Sequence, residues 1–301
     1  MRRLFWILVG LVSFSSVPSW GQVRWSNNGH FYEMVPTWRT WLEAKADAES
    51  RTFMGRSGHL MTVTSQAEQD FVVETFGEPL REASIGGYNT PEGWKWVTGE
   101  TWEYTNWAPG EPNGSEYLAF HGGHGLGQWN DRPNSDTRHY FVEYPVRLFD
   151  VLPETFQVTR GNHVFGVLSD LFESDDRYII IGSRYPFAVS DPSAQLVIET
   201  TAPPGNVRVA GVLFESAASI FNIIQRVELF DFSANRWVIL DERSAGTNDS
   251  EVLATNSDNP GRFVQQGTLR VRARFGWFDR GAPIFNWQAR TDRAVFAIAV
   301  D

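Results

Sequence analysis

Between Trp94 and Glu143 the chain gathers oxygen-bearing side chains into a segment rich in Trp and Gly, and this narrows what it can become. Glu111, Glu116 and Asp131 offer carboxylates, Asn113 and Asn130 offer amides, and the chain has no cysteine. Hard oxygen donors of this kind suit calcium, which takes about six to eight oxygens at ~2.3–2.6 Å. Metals that select soft thiolate ligands are argued against by the same set. Glu111 and Asn113 flank Pro112, and cis peptide bonds are essentially a proline feature. A cis Glu111–Pro112 bond would point both side chains to one side of a tight turn. Asn130 and Asp131 are neighbours, so a strand end or a turn has to present both.

Glu111-Pro112-Asn113 followed by Trp129-Asn130-Asp131 resembles the carbohydrate-recognition domain of the calcium-dependent (C-type) lectins. Further matching residues are Trp41, Ala44 and Ala48, then Gly58-His59-Leu60, Ile85-Gly86-Gly87 and Tyr140-Phe141-Val142-Glu143, so the resemblance runs from Gly29 to Pro145. It implies an α+β fold with two helices, antiparallel strands and a long calcium loop turned by Pro112. It also implies calcium on Glu111, Asn113, Glu116, Asn130 and Asp131. The same five side chains would meet a sugar, with Arg132 at the rim. In that family Glu-Pro-Asn goes with mannose-type sugars (mannose, glucose, N-acetylglucosamine or fucose), and Gln-Pro-Asp with galactose. Members normally carry two disulfides. Here Ala48, Leu118, Asn134 and Val142 stand at the cysteine positions, which suggests a bacterial relative whose loop is held by calcium and core alone.

With 301 residues the chain has room for two ordinary domains. Its formal charge of −10 argues against nucleic acid, whose binding needs a basic footprint. Residues 1–22 read as a secretory signal: Arg2 and Arg3 precede an apolar run from Leu4 to Val12, and Ser19 and Gly21 are the small residues of a cleavage site. That run is too short to span a bilayer, and no later stretch resembles a membrane helix. The expected location is secreted or extracytoplasmic, in a periplasm or at a cell surface.

Residues 23–147 read as the lectin domain. Its strand Gly29–Val35 should lead into a helix capped near Thr37, with Trp38, Trp41, Ala44 and Ala48 on one face. Ser65 and Glu68 form a capping box opening a second helix to Phe76. Strands are expected at His59–Val63, Ala83–Gly87, Tyr117–Phe120 and Phe141–Val142. The close spacing of Trp94, Trp96, Trp102 and Trp107 fits packing under a long loop better than a platform for stacking sugars. His121 and His124 could suggest zinc, but they read as solvated residues of a flexible glycine-rich turn.

From residue 148 helical periodicity gives way to short alternating runs between Gly, Asn, Asp and Pro turns. The runs are Thr155–Thr159, Tyr178–Gly182, Leu196–Thr200, Val207–Phe214, Val227–Phe232, Trp237–Leu240, Thr268–Phe275 and Arg293–Val300. They predict an all-β sandwich or jelly roll over residues 148–301, with Ser233–Arg236 as a hairpin turn and with a role and partner that the pattern does not identify. Arg270, Arg272 and Arg274 alternate with apolar residues and read as the charged outer face of a half-buried strand.

The expected function is a secreted lectin taking carbohydrate through two vicinal equatorial hydroxyls on calcium. The alternatives are an adhesive or structural protein whose lectin fold binds a non-sugar partner, and a sugar-binding module on an unrecognised enzyme. Asp170, Glu173, Asp175 and Asp176 cluster on a turn, and without a nucleophile motif they do not make a catalytic pair. The chain is expected not to be an enzyme.

Overall fold

The computed structural model describes residues 21–186, 188, 190–279 and 287–301. The expected signal segment therefore lies, but for its last two residues, outside the described residues. The described chain divides into two compact units. One holds Tyr32–Lys45 and Leu60–Val142; the other holds Arg24–Phe31, Ala46–His59 and Glu143–Asp301.

An eight-stranded sheet runs in the order Val23–Arg24, Phe31–Arg39, Arg138–Tyr144, Ser84–Thr90, Tyr117–Phe120, Trp129–Arg132. His59–Leu60 pairs with Arg138–Tyr144, and Gly93–Trp96 with Ser84–Thr90. The first helix spans Trp41–Ser50 rather than starting near Thr37. The strand Phe31–Arg39 runs through Thr37, and Thr40 caps the helix instead: its N–H and hydroxyl both donate to the Glu43 carboxylate, at 3.0 and 2.9 Å. Trp38 is thereby left 63% exposed, while Trp41, Ala44 and Ala48 are buried.

The second helix, Gln66–Phe76, has Ser65 as its N-cap, whose hydroxyl accepts from Glu68 N–H at 3.2 Å. The Glu68 carboxylate turns elsewhere. It accepts from the N–H and hydroxyl of Thr64 at 2.8 and 3.0 Å and from the Tyr32 hydroxyl at 2.6 Å. A buried carboxylate needs several donors, and Tyr32 supplies one that a local capping box lacks.

The β-rich remainder is built from two sheets. One is ordered Asn162–Phe165, Ile179–Gly182, Gln288–Val300, Val207–Ala218, Ser250–Asn256, with Phe149–Val151 also on Gln288–Val300. The other is ordered Thr155–Arg160, Ala194–Thr201, Arg270–Asp279, Ile223–Asp231, Arg236–Ser244. Their inward residues share one core, in which Ile198, Val212, Phe214, Val227, Phe275, Trp277 and Phe296 are buried. All eight sequence-expected runs fall on these strands. Asn162–Phe165 escaped notice because it is exposed throughout and so has no alternation. The arginine stripe faces outward and is neutralised in place: Arg272 meets Glu199 at 2.6 Å, Arg270 meets Glu154 at 3.4 Å, and Arg274 pairs with Glu228.

One buried acid in this sandwich has a measurable signature. Asp292 is 1% exposed and accepts from Asp175 and Asp176 N–H at 3.3 and 3.2 Å. Its carboxylate also lies in a group with those of Asp176 and Asp249, the ligand oxygens all within 4.8 Å of one another. Burial raises its pKa, the two N–H donors oppose the rise, and Glu215 and Asp175 add to it. A carboxyl whose folded pKa is raised binds its proton more tightly folded than unfolded, so stability falls as pH rises through the folded pKa. In EDTA, Asp292→Asn should therefore raise the melting midpoint at pH 7, and the advantage should disappear below the ordinary Asp value of ~3.9. Equal midpoints at pH 7 would contradict this assignment.

Candidate metal centre

The candidate site lies where the loop through Glu111 meets the strand Trp129–Arg132. That strand pairs antiparallel with Tyr117–Phe120, placing Asp131 opposite Leu118 and Asn130 opposite Ala119. On its other side Trp129 bridges to Trp107: Trp129 N–H donates to Asn106 O at 2.7 Å, and Ala108 N–H to Trp129 O at 2.9 Å. The loop then turns through Gly110 and Gly114, at φ 90° and 119°, which only glycine adopts without strain. The Glu111–Pro112 peptide is cis.

Trp129 is the floor of this arrangement. It is fully buried, with the rings of Trp96, Trp102, Trp107 and Tyr104 around it at centroid distances of 5.6–5.9 Å. Its indole N–H donates to Gln69 Oε1 at 3.1 Å. Trp96 is also buried and stacks within 4.5 Å of Trp102. The tryptophan cluster is therefore packing.

Asp131, 2% exposed, anchors the loop. Its Oδ1 accepts from Asn113 N–H at 2.8 Å, and its Oδ2 from Gly114 N–H at 2.8 Å and from Ser115 N–H. Burial alone would raise its pKa, but the three backbone donors outweigh it and hold the carboxyl below its ordinary value. Glu111 is shifted the other way. Burial, a carboxyl contact with Asp131 and that group's charge raise its pKa, while Arg132 and His124 partly offset the rise.

Two buried oxygens here lack a hydrogen-bond partner, Glu111 Oε2 and Asn130 Oδ1. Buried polar atoms are normally satisfied, and two orphaned oxygens beside a second carboxylate form a set that a hard cation completes. These residues fit calcium. The side chains of Asn113 and Glu116 are exposed; the backbone carbonyl of Glu116 is used locally, accepting from Asn89 N–H at 2.7 Å. Arg132 is half-buried, its Nη2 3.8 Å from Glu82 Oε1, and Glu82 is gripped in turn by Arg138.

The sequence reading missed His121. Its Nε2 lies 4.0 Å from Glu111 Oε1, and the turn it begins is tied down rather than loose. Arg81 donates to the carbonyls of Gly122 and His124, both at 3.0 Å, and Asn106 donates to that of Gly127 at 3.0 Å. The available signal was position: His121 directly follows the strand that pairs with the one carrying Asn130 and Asp131.

Residues 39–142 match the family model of the lectin C-type domain, and the chain belongs to that family. Halomucin of Haloquadratum walsbyi is 32% identical over 154 residues, which is 44% of this chain and 2% of halomucin. A subunit of the snaclec coagulation factor IX/factor X-binding protein of Echis carinatus is 30% identical over 106 residues, or 32% of this chain and 76% of that one. C-type mannose receptor 2 of Homo sapiens is 29% identical, and only 7% of its length is matched. The chain thus spans a small part of two of these relatives. Among solved structures, the C-type lectin CEL-I from Cucumaria echinata is 26% identical with a TM-score of 0.36, covering 42% of this chain and 95% of that one. Family membership implies a carbohydrate-binding module. Among the described residues no helix is long and apolar enough to cross a membrane.

Proposed function

We propose that this protein is a secreted, non-enzymatic, calcium-dependent lectin for mannose-type sugars. In this reading residues 23–147 form the lectin domain, and residues 148–301 form a separate sandwich that spaces it from a surface or binds a further partner. The observation that carries the proposal is the pair of buried, unpartnered oxygens on Glu111 and Asn130 beside the Asp131 carboxylate.

Glu111, Asn113, Glu116, Asn130 and Asp131 would hold the ion. Bound calcium would supply a positive centre that polarises and orients two vicinal hydroxyls. The side chains do the discriminating. Glu111 accepts a proton from one hydroxyl while the Asn113 amide donates to its lone pair; Glu116 and Asn130 treat the second in the same way. Asp131 needs no sugar contact to matter, because it fixes the backbone of residues 113–115. Arg132 stands at the rim.

The test is elution from a mannan column loaded in calcium. Free mannose and EDTA should each release the protein, and free galactose should not. The double change Glu111→Gln with Asn113→Asp exchanges donor for acceptor at both positions. Unmatched polar groups cost ~1–3 kcal/mol each, so it should lose ~10- to 100-fold in mannose affinity and shift toward galactose. Retention unaffected by EDTA would refute the calcium reading, and wild-type release by galactose alone would refute the selectivity.

A further inference from the structure

The Gly-rich turn beside the loop holds a donor that neither motif of the site contains. His121 Nδ1 accepts from the N–H groups of Gly123 and His124, at 2.9 and 3.0 Å. Backbone N–H groups can only donate, so Nδ1 carries the lone pair and the ring proton is on Nε2. That N–H lies 4.0 Å from Glu111 Oε1, the two side chains being 17% and 11% exposed. Burial, then the neighbouring His124 and Arg132, holds the imidazole in its neutral form. The ring is also fixed in place: it meets His124 edge-on at 4.4 Å, and Arg81 holds the turn through the Gly122 and His124 carbonyls.

The separation is too long for a direct hydrogen bond and suited to one intervening oxygen. An oxygen ~2.8 Å from both atoms would see them at roughly 90°, within reach of a hydroxyl that accepts on one side and donates on the other. A hydroxyl is the group this gap selects, because it faces a pure donor, Nε2–H, and a pure acceptor, the Glu111 carboxylate. An ammonium lacks the acceptor and a carboxylate lacks the proton. We propose that His121 is a specificity-determining residue that donates through Nε2 to the sugar hydroxyl shared with Glu111. This rests on the lectin reading and adds to it a polar contact outside the five proposed ligands.

The experiment compares wild type, His121→Phe, which keeps a ring but has no donor, and His121→Gln, whose amide N–H falls near the place of Nε2. Calcium affinity and methyl α-mannoside affinity in saturating calcium are measured separately by calorimetry, with a panel of mono-deoxy mannosides. One lost hydrogen bond corresponds to about a tenfold loss. His121→Phe should lose about that much for methyl α-mannoside with its calcium affinity unchanged, and His121→Gln should recover most of it. For the mannoside lacking the shared hydroxyl, wild type and His121→Phe should bind alike, a coincidence that a merely structural role would not produce. Undiminished mannoside binding by His121→Phe overturns the assignment and leaves the lectin reading standing. A parallel loss of calcium affinity also overturns it, because His121 would then act only by placing Glu111. Calcium binding by wild type without any mannoside binding removes both proposals together.

Discussion

Asp131→Asn should abolish the response to calcium and lower the melting midpoint even in EDTA. The carboxylate receives three backbone N–H groups from residues 113–115 while almost wholly buried. An asparagine keeps the shape but turns one of the two oxygens into a donor, which then faces an N–H. Leaving such groups unmatched costs ~1–3 kcal/mol, and for a domain of this size ~2 kcal/mol moves the midpoint by about 10 °C. The effect has a pH signature in EDTA. The folded pKa of Asp131 is depressed, so its stabilisation is present above the unfolded Asp value of ~3.9 and is lost as pH falls through the folded pKa. The gap between wild type and variant should therefore be constant near neutrality and should close in acid. Coincident melts in EDTA at pH 7 would show that the backbone cradle contributes nothing measurable.

A larger loss is expected from Trp129→Ala. The side chain has no exposed surface, four aromatic rings surround it, and its indole N–H satisfies Gln69, itself 3% exposed. Truncating a buried Trp costs ~3–5 kcal/mol, and the orphaned Gln69 oxygen adds to that. Domains of this size are stable by ~5–15 kcal/mol in total, so the change should remove much of the lectin unit's stability. Asn130 and Asp131 follow Trp129 on the same strand, so calcium binding should go with it. Near-ultraviolet circular dichroism, dominated by the tryptophan cluster, should collapse. The sandwich core, built from other residues, should keep its own transition. A variant that melts within a degree of wild type would refute Trp129 as the floor of the site.

The sequence by itself determined the kinds of element and the chemistry of the loop. Alternation marked strands across residues 148–301 because each residue's polarity reports which face of a sheet it occupies, and the structure puts Val271, Ala273 and Phe275 in the core. The oxygen donors of the candidate centre were legible for a similar reason: ligand type follows from side-chain chemistry alone. Local pattern failed wherever a partner distant in sequence decided the outcome. Glu68 bonds Tyr32 and Thr64 instead of completing its capping box. The first helix waits for Trp41 because the strand Phe31–Arg39 extends past Thr37. Asp131 receives backbone donors from 16 to 18 residues away, and His121 reaches Glu111 only because its strand pairs with the one that carries Asn130 and Asp131. Strand pairing and loop closure bring these groups within a few ångströms, and it is burial, on which the pKa of each carboxylate depends, that no local stretch of sequence records.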